Sequence, residues 1–152
     1  HLRLGIPYSN KKDNNFYFND VIKRIYKDEL VVLKNIYDVK DFIHTSDIAR
    51  GIVSLINNNL EGVFNLSFGQ GVEIKSVLKM IYEKLNKKFI FDESSSQEKI
   101  AFNLNINKIY NQSNWKPSIS IWDGISLLIQ EVRFENNPTL EQFTTRIRSL
   151  YK

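Results

Sequence analysis

Tyr8-Ser9-Asn10-Lys11-Lys12 places a tyrosine four residues before a lysine. On a helix that spacing sets an ammonium one turn from a phenol, lowers the phenol pKa and makes it a usable proton acceptor. Here the pentad follows an apolar strand and consists of loop formers, so the helix that such a pair requires is missing and no catalytic role is assigned to it. Gly69-Gln70-Gly71 is a second candidate, because glycine-rich turns let backbone N–H groups approach a phosphate. A dinucleotide turn has a third glycine and opens a helix, and no third glycine follows here. His44 closes a short apolar run; a lone histidine on a strand is read as a hydrogen-bonded structural residue before it is read as an acid or base. Cysteine is absent, which removes disulfides, thiolate metal sites and cysteine nucleophiles together. No metal site is expected.

The elements that must hold these residues follow from periodicity. Leu2 to Ile6 reads as a buried strand entering a polar loop, Ser9 to Asn15. Phe18, Val21, Ile22, Ile25 and Tyr26 recur at helical spacing within Phe16 to Tyr26, and Leu30 to Leu33 is a β-branched run typical of a strand. A helix begins near Thr45 or Ser46, either able to cap it, with Ile48, Ile52, Leu55 and Ile56 on one side, and Asn57-Asn58-Asn59 with Gly62 ends it. Val63 to Leu66 is a strand, and Ile74, Val77, Leu78, Ile81 and Leu85 mark an amphipathic helix. Phe89 to Phe91 reads as a strand, Ser94 to Lys99 as a polar loop and Asn105 to Tyr110 as a short helix. A longer helix, Ile121 to Val132, is capped by Ser118 or Ser120. Asn136-Asn137-Pro138 precedes a last helix in which Thr139 and Gln142 have capping-box spacing. Alternating strands and helices without a repeat make the class α/β.

Read together, Lys40-Asp41-Phe42-Ile43-His44-Thr45-Ser46-Asp47-Ile48-Ala49 and Gly62-Val63-Phe64-Asn65-Leu66 resemble a known arrangement. The extended short-chain dehydrogenases, the NAD-dependent epimerases and dehydratases of nucleotide sugars, carry R-D-F/Y-I/V-H/Y-V-x-D-V/I-A/C and then G-x-x-F/Y-N-I/L in their substrate-binding half. Asn114-Trp115-Lys116-Pro117 and Ser120-Ile121-Trp122-Asp123-Gly124-Ile125 are similar to the closing L/G-G/N-W-x-P and S-L/I-x-E/D-G-L/I of the same family, in the same order. The resemblance covers residues 2 to about 130. It implies the C-terminal substrate-binding portion, residues 1–132, of a Rossmann-type α/β fold whose nucleotide-binding half lies outside this sequence, followed by a helical tail, 133–152.

The resemblance also implies roles. Arg3-Leu4-Gly5-Ile6-Pro7-Tyr8-Ser9 is similar to the family's R-x-x-N-x-Y-G, which assigns Tyr8 to that motif and not to a Tyr/Lys pair. Gly5 would border the cofactor through its backbone, or else is a small residue for tight packing. Ile6 stands where an asparagine touches the substrate diphosphate; a branched alkyl group cannot make that bond. Val31, Val32 and Leu33 correspond to a strand whose backbone pairs with the base edge, the alternative being a plain core strand. Lys40 holds the place of an arginine that grips the diphosphate, keeping the charge without the planar fork; the alternative is a solvated lysine beside Asp38 and Asp41. Phe42 stands where Tyr or Phe is usual, and the resemblance counts it among the substrate-binding residues. A second phosphate arginine is absent unless Lys99 substitutes. Catalytic residues are expected in the missing half.

Composition narrows the classes further. With 152 residues, 42% of them hydrophobic, the chain suffices for one core. The net charge of +4 is spread among acids, as in the helix holding Lys23, Arg24, Lys27, Asp28 and Glu29, so no nucleic-acid partner is expected. Apolar runs such as Ile125 to Ile129 are too short to span a membrane, and a cytoplasmic protein is expected. The chain opens on His1 and its one methionine is Met80, which suits a piece of a longer protein. NAD or NADP and a nucleotide sugar are the expected ligands of the full-length protein, no cofactor is expected for this fragment, and the fragment is expected to be inert. A homo-oligomer is one way in which it would hide uncovered apolar surface. The rival expectation is a stand-alone binding module that kept the fold without catalysis.

Overall fold

The computed structural model describes residues 1–9, 17–31, 35–89 and 99–136. The first apolar run forms two short strands, β1 (Leu2–Leu4) and β2 (Ile6–Tyr8), where the periodicity suggests one. Between them the backbone changes partners. β1 runs parallel to β5 (Phe64–Leu66), with Leu4 opposite Leu66, and β2 runs parallel to β4 (Phe42–His44), with Ile6 opposite Phe42. Gly5 is the switch: its N–H still reaches Leu66 O at 2.9 Å, while that of Ile6 already reaches Asp41 O at 2.7 Å. A Cβ at position 5 would lie 2.0 Å from Ser67 Oγ and 2.8 Å from Asp41 O, so only glycine passes.

A third pair, β3 (Val39–Lys40) antiparallel to β6 (Val72–Glu73), is too short to leave a periodic signal. Leu30 and Val31, read as the start of a strand, join no strand among the described residues, and Leu30 is 74% exposed. Residues 32–34, the rest of that run, lie outside the described residues, as do 10–16 and the remainder of the Phe89 strand; the Phe89 ring itself packs tilted against Tyr82, their centroids 5.1 Å apart.

Five helices cover these strands among the described residues. α1 (Tyr17–Tyr26) buries Phe18, Val21, Ile22 and Ile25, and α3 (Ile74–Lys84) buries Ile74, Val77, Leu78 and Ile81. α5 (Ile121–Asn136) packs on both and buries Ile121, Ile125, Leu128, Ile129 and Val132, each such side chain contributing about 2 kcal/mol. It runs four residues past the expected end at Val132, so residues 133–136 belong to it; the last expected helix lies outside the described residues. Ser120 caps α5: its Oγ accepts from Asp123 N at 3.2 Å and donates to the Asp123 carboxylate at 2.7 Å. α2 (Thr45–Asn57) is capped by neither Thr45 nor Ser46 but by His44, whose Nδ1 accepts from Ser46 N. With α4 (Asn107–Ser113), β1 and β5, α2 forms a second core of Ile43, Leu55, Phe64, Leu66, Ile109 and Trp115. α4 starts two residues late because Asn105 Oδ1 accepts from Asn107 N at 2.8 Å.

Candidate functional site

Four segments converge on one cavity of about 330 Å³. β2 supplies Ile6, Pro7 and Tyr8; α1 supplies Tyr17 and Phe18; the chain through β3 and β4 supplies Asn35, Asp38, Lys40 and Phe42; Ile74 closes it from α3. Of the residues singled out from sequence, Ile6, Lys40 and Phe42 are therefore brought together although Ile6 is distant from the other two along the chain. Their meeting follows from the β2/β4 register, in which Ile6 and Phe42 are partners.

The other candidates lie elsewhere. Lys99 pairs with Glu73 at 3.3 Å and does not line this cavity. Gly5 is enclosed by Ser67 and Asp41, the packing role foreseen as its alternative. Val31 is half-buried against the larger core, and Val32 and Leu33 lie outside the described residues. Gly69-Gln70-Gly71 does not open a helix, since β6 intervenes before α3; a Cβ on Gly71 would meet Val39 at 2.5 Å, so its smallness serves packing.

Lys40 stands beside Asp38, as the alternative reading has it, but is largely covered. Its Nζ is 3.0 Å from Asp38 Oδ2, with side-chain exposures of 23% and 6%. The other Asp38 oxygen accepts from Ile100 N at 2.9 Å. That N–H and then the Lys40 ammonium hold the Asp38 carboxyl below its ordinary value. Asp41 has no part in this pair. It is fully buried and accepts from the N–H groups of Phe68, Gly69 and Leu104 at 3.0–3.2 Å. Asp47, equally buried, accepts from Ser118 N and Ile119 N at 3.0 Å each and from the Arg50 guanidinium.

Sequence reasoning missed what these three carboxylates do: Asp38 and Asp41 entered it only as neighbours of Lys40, and Asp41 and Asp47 as motif positions. Each fastens the 38–47 segment to backbone far along the chain, and acids spaced so irregularly carry no periodic signal. Tyr8 is also structural: its ring is buried against His44 at 5.2 Å and its hydroxyl donates to Ser120 O at 2.9 Å. Burial, then the Asp123 charge, raise its pKa far above the ordinary range, so the phenol is a hydrogen-bond donor and not a proton acceptor. Burial, then Arg50, hold the His44 imidazole below its ordinary value.

No family model matches the sequence. The chain is 28% identical over 105 residues to dTDP-4-dehydro-6-deoxyglucose reductase of Escherichia coli, covering 67% of this chain and 33% of that protein. It superimposes on RMD from Pseudomonas aeruginosa complexed with NADPH at a TM-score of 0.76 and 14% identity, over 88% of this chain and 48% of that one. It superimposes on UDP-glucose 4-epimerase from Thermotoga maritima with UDP-glucose at 0.72 and 19% identity, over 90% and 46%. The chain therefore has the mixed α/β, Rossmann-type fold of part of these proteins. The chain thus spans under half the length of each of these proteins. Among its described residues no helix is long and apolar enough to cross a membrane.

Proposed function

We propose that this chain is the substrate-binding portion of an NAD(P)-dependent nucleotide-sugar epimerase, dehydratase or reductase, acting in the cytoplasm on the route to surface polysaccharide. The observation that carries the reading is the cavity in which Ile6, Lys40 and Phe42 meet, because the resemblance places all three against a nucleotide sugar. Lys40 is the cation that faces the phosphates, and the aromatic and aliphatic walls receive the less polar parts of the ligand. Cofactor and proton-transfer groups belong to a nucleotide-binding half; alone, the chain is inert and binds neither NAD nor NADP tightly. The second reading, a binding module without catalysis, is favoured by Ile6 in the asparagine position, where no side-chain bond to phosphate is made.

The test is titration of the chain with UDP-glucose and dTDP-glucose, followed by two-dimensional amide NMR. Lys40→Ala is expected to weaken binding about tenfold or more, since it removes the cation and bares Asp38 to the phosphates. Lys40→Arg should preserve or strengthen binding. If Lys40→Ala binds as tightly as the parent, the diphosphate lies elsewhere and the site assignment fails.

A further inference from the structure

Among the described residues lining the cavity, Lys40 and Asp38 are the charged pair; Ile6, Phe18, Phe42 and Ile74 dominate the rest. We propose that Asp38 is a specificity-determining residue: by holding the Lys40 ammonium it leaves the described lining of the cavity without net charge, so that ligands are selected on nucleoside and sugar more than on phosphate charge. The inference deepens the nucleotide-sugar reading and rests on it.

Asp38 is not free to swing away when a ligand arrives. Its second oxygen is fixed by Ile100 N, and that segment is itself tied to β3, Val39 N donating to Ile100 O and Phe102 N to Val39 O, both at 2.9 Å. The pair lies mostly out of water, where salt screens it weakly. Coulomb energy falls as the inverse of distance. A phosphate oxygen about 3 Å from Nζ, on the side away from Asp38, would sit about 6 Å from the carboxylate, and repulsion would cancel about half of the attraction. An unpaired lysine in the same place would spend its whole charge on the phosphate. Asparagine at position 38 keeps the shape and an oxygen for Ile100 N while removing the charge, so it isolates this effect.

Uridine, UMP and UDP, and the corresponding thymidine series, are titrated into the parent chain, Asp38→Asn and Asp38→Asn/Lys40→Ala, with amide shifts of the cavity residues as the readout. The parent is expected to bind UDP no more than about threefold tighter than uridine. Asp38→Asn should tighten UDP about a further threefold, the half of the attraction that Asp38 cancels, and leave uridine unchanged, and the added Lys40→Ala should abolish the gain. A folded Asp38→Asn chain with an unchanged UDP-to-uridine ratio overturns the role of Asp38 and leaves the nucleotide-sugar reading intact. Absence of any cavity shift with any nucleoside or nucleotide, in every variant, overturns both. The salt response of the parent needs no variant. Affinity for UDP should change little between low and moderate ionic strength, and a fall of more than about threefold overturns the proposal by showing an unneutralised cation.

Discussion

At the scale of single residues, the segment from Asp38 to Asp47 is a row of buried polar groups whose partners are backbone N–H groups elsewhere. Asp47→Ala leaves the N–H groups of Ser118 and Ile119 without acceptors, and an unsatisfied buried donor costs about 1–3 kcal/mol. We expect a loss of about 3 kcal/mol in denaturant unfolding, with Asp47→Asn losing less because one acceptor oxygen remains. His44 makes a separate, pH-dependent contribution. Its folded pKa is depressed, so the unfolded chain binds more protons once the pH falls below about 6.5. Its contribution is complete above that value and is lost as the pH falls through the depressed one. His44→Asn keeps an N-cap acceptor and should flatten the stability profile between about pH 5 and 7. If unfolding free energy in that window keeps the slope of the parent, the imidazole is not its source. The Asp38 carboxyl acts in a lower window, complete above its ordinary value of 3.8 and lost below it.

At the scale of elements, α5 is docked by the absence of a side chain. Gly124 lies against the Tyr8 ring, and a Cβ there would come within 2.3 Å of Cε2 and 2.4 Å of the hydroxyl. Gly124 is in the first turn of α5, where replacing a helical glycine with alanine normally stabilises by at most about 1 kcal/mol. Tyr8 cannot yield, because it is buried between His44 and α5 and its hydroxyl is bonded to Ser120 O, and overpacking costs about 1–3 kcal/mol. Clash therefore outweighs propensity, and Gly124→Ala is expected to lower the thermal midpoint. In a Tyr8→Leu background the same substitution should be neutral or stabilising, and equal losses in the two backgrounds would refute the contact as the cause.

At the scale of the whole molecule, apolar side chains remain uncovered among the described residues. Ile52, Val53 and Ile56 on α2 are exposed, Ile56 by 66%, as are Leu4 on β1 and Val63 just before β5. A folded portion that matches less than half of its structural neighbours is expected to hide such a surface by self-association when it stands alone. Sedimentation should show concentration-dependent dimers or larger species, and Ile56→Lys should shift them toward monomer. A monomer at every concentration would argue for an autonomous module instead.

The helices were legible in the sequence because burial on one face repeats every three to four residues: Val21, Ile22 and Ile25 in α1 and Ile125, Leu128 and Ile129 in α5 stand where the spacing sets them. The order of motifs pointed to the fold for the same local reason, and it named Ile6, Lys40 and Phe42 as neighbours of one ligand. What the sequence left open depends on partners distant along the chain. The run from Leu2 to Ile6 is apolar throughout, yet it divides at Gly5 because Leu66 and Asp41 claim consecutive N–H groups. Lys40 reads as a cation available to phosphate, yet its charge is spoken for, because Ile100 fixes Asp38 beside it. A side chain's type is local, but its electrostatic partner is chosen by tertiary packing, and in this cavity packing decides how much of a lysine's charge a ligand can meet.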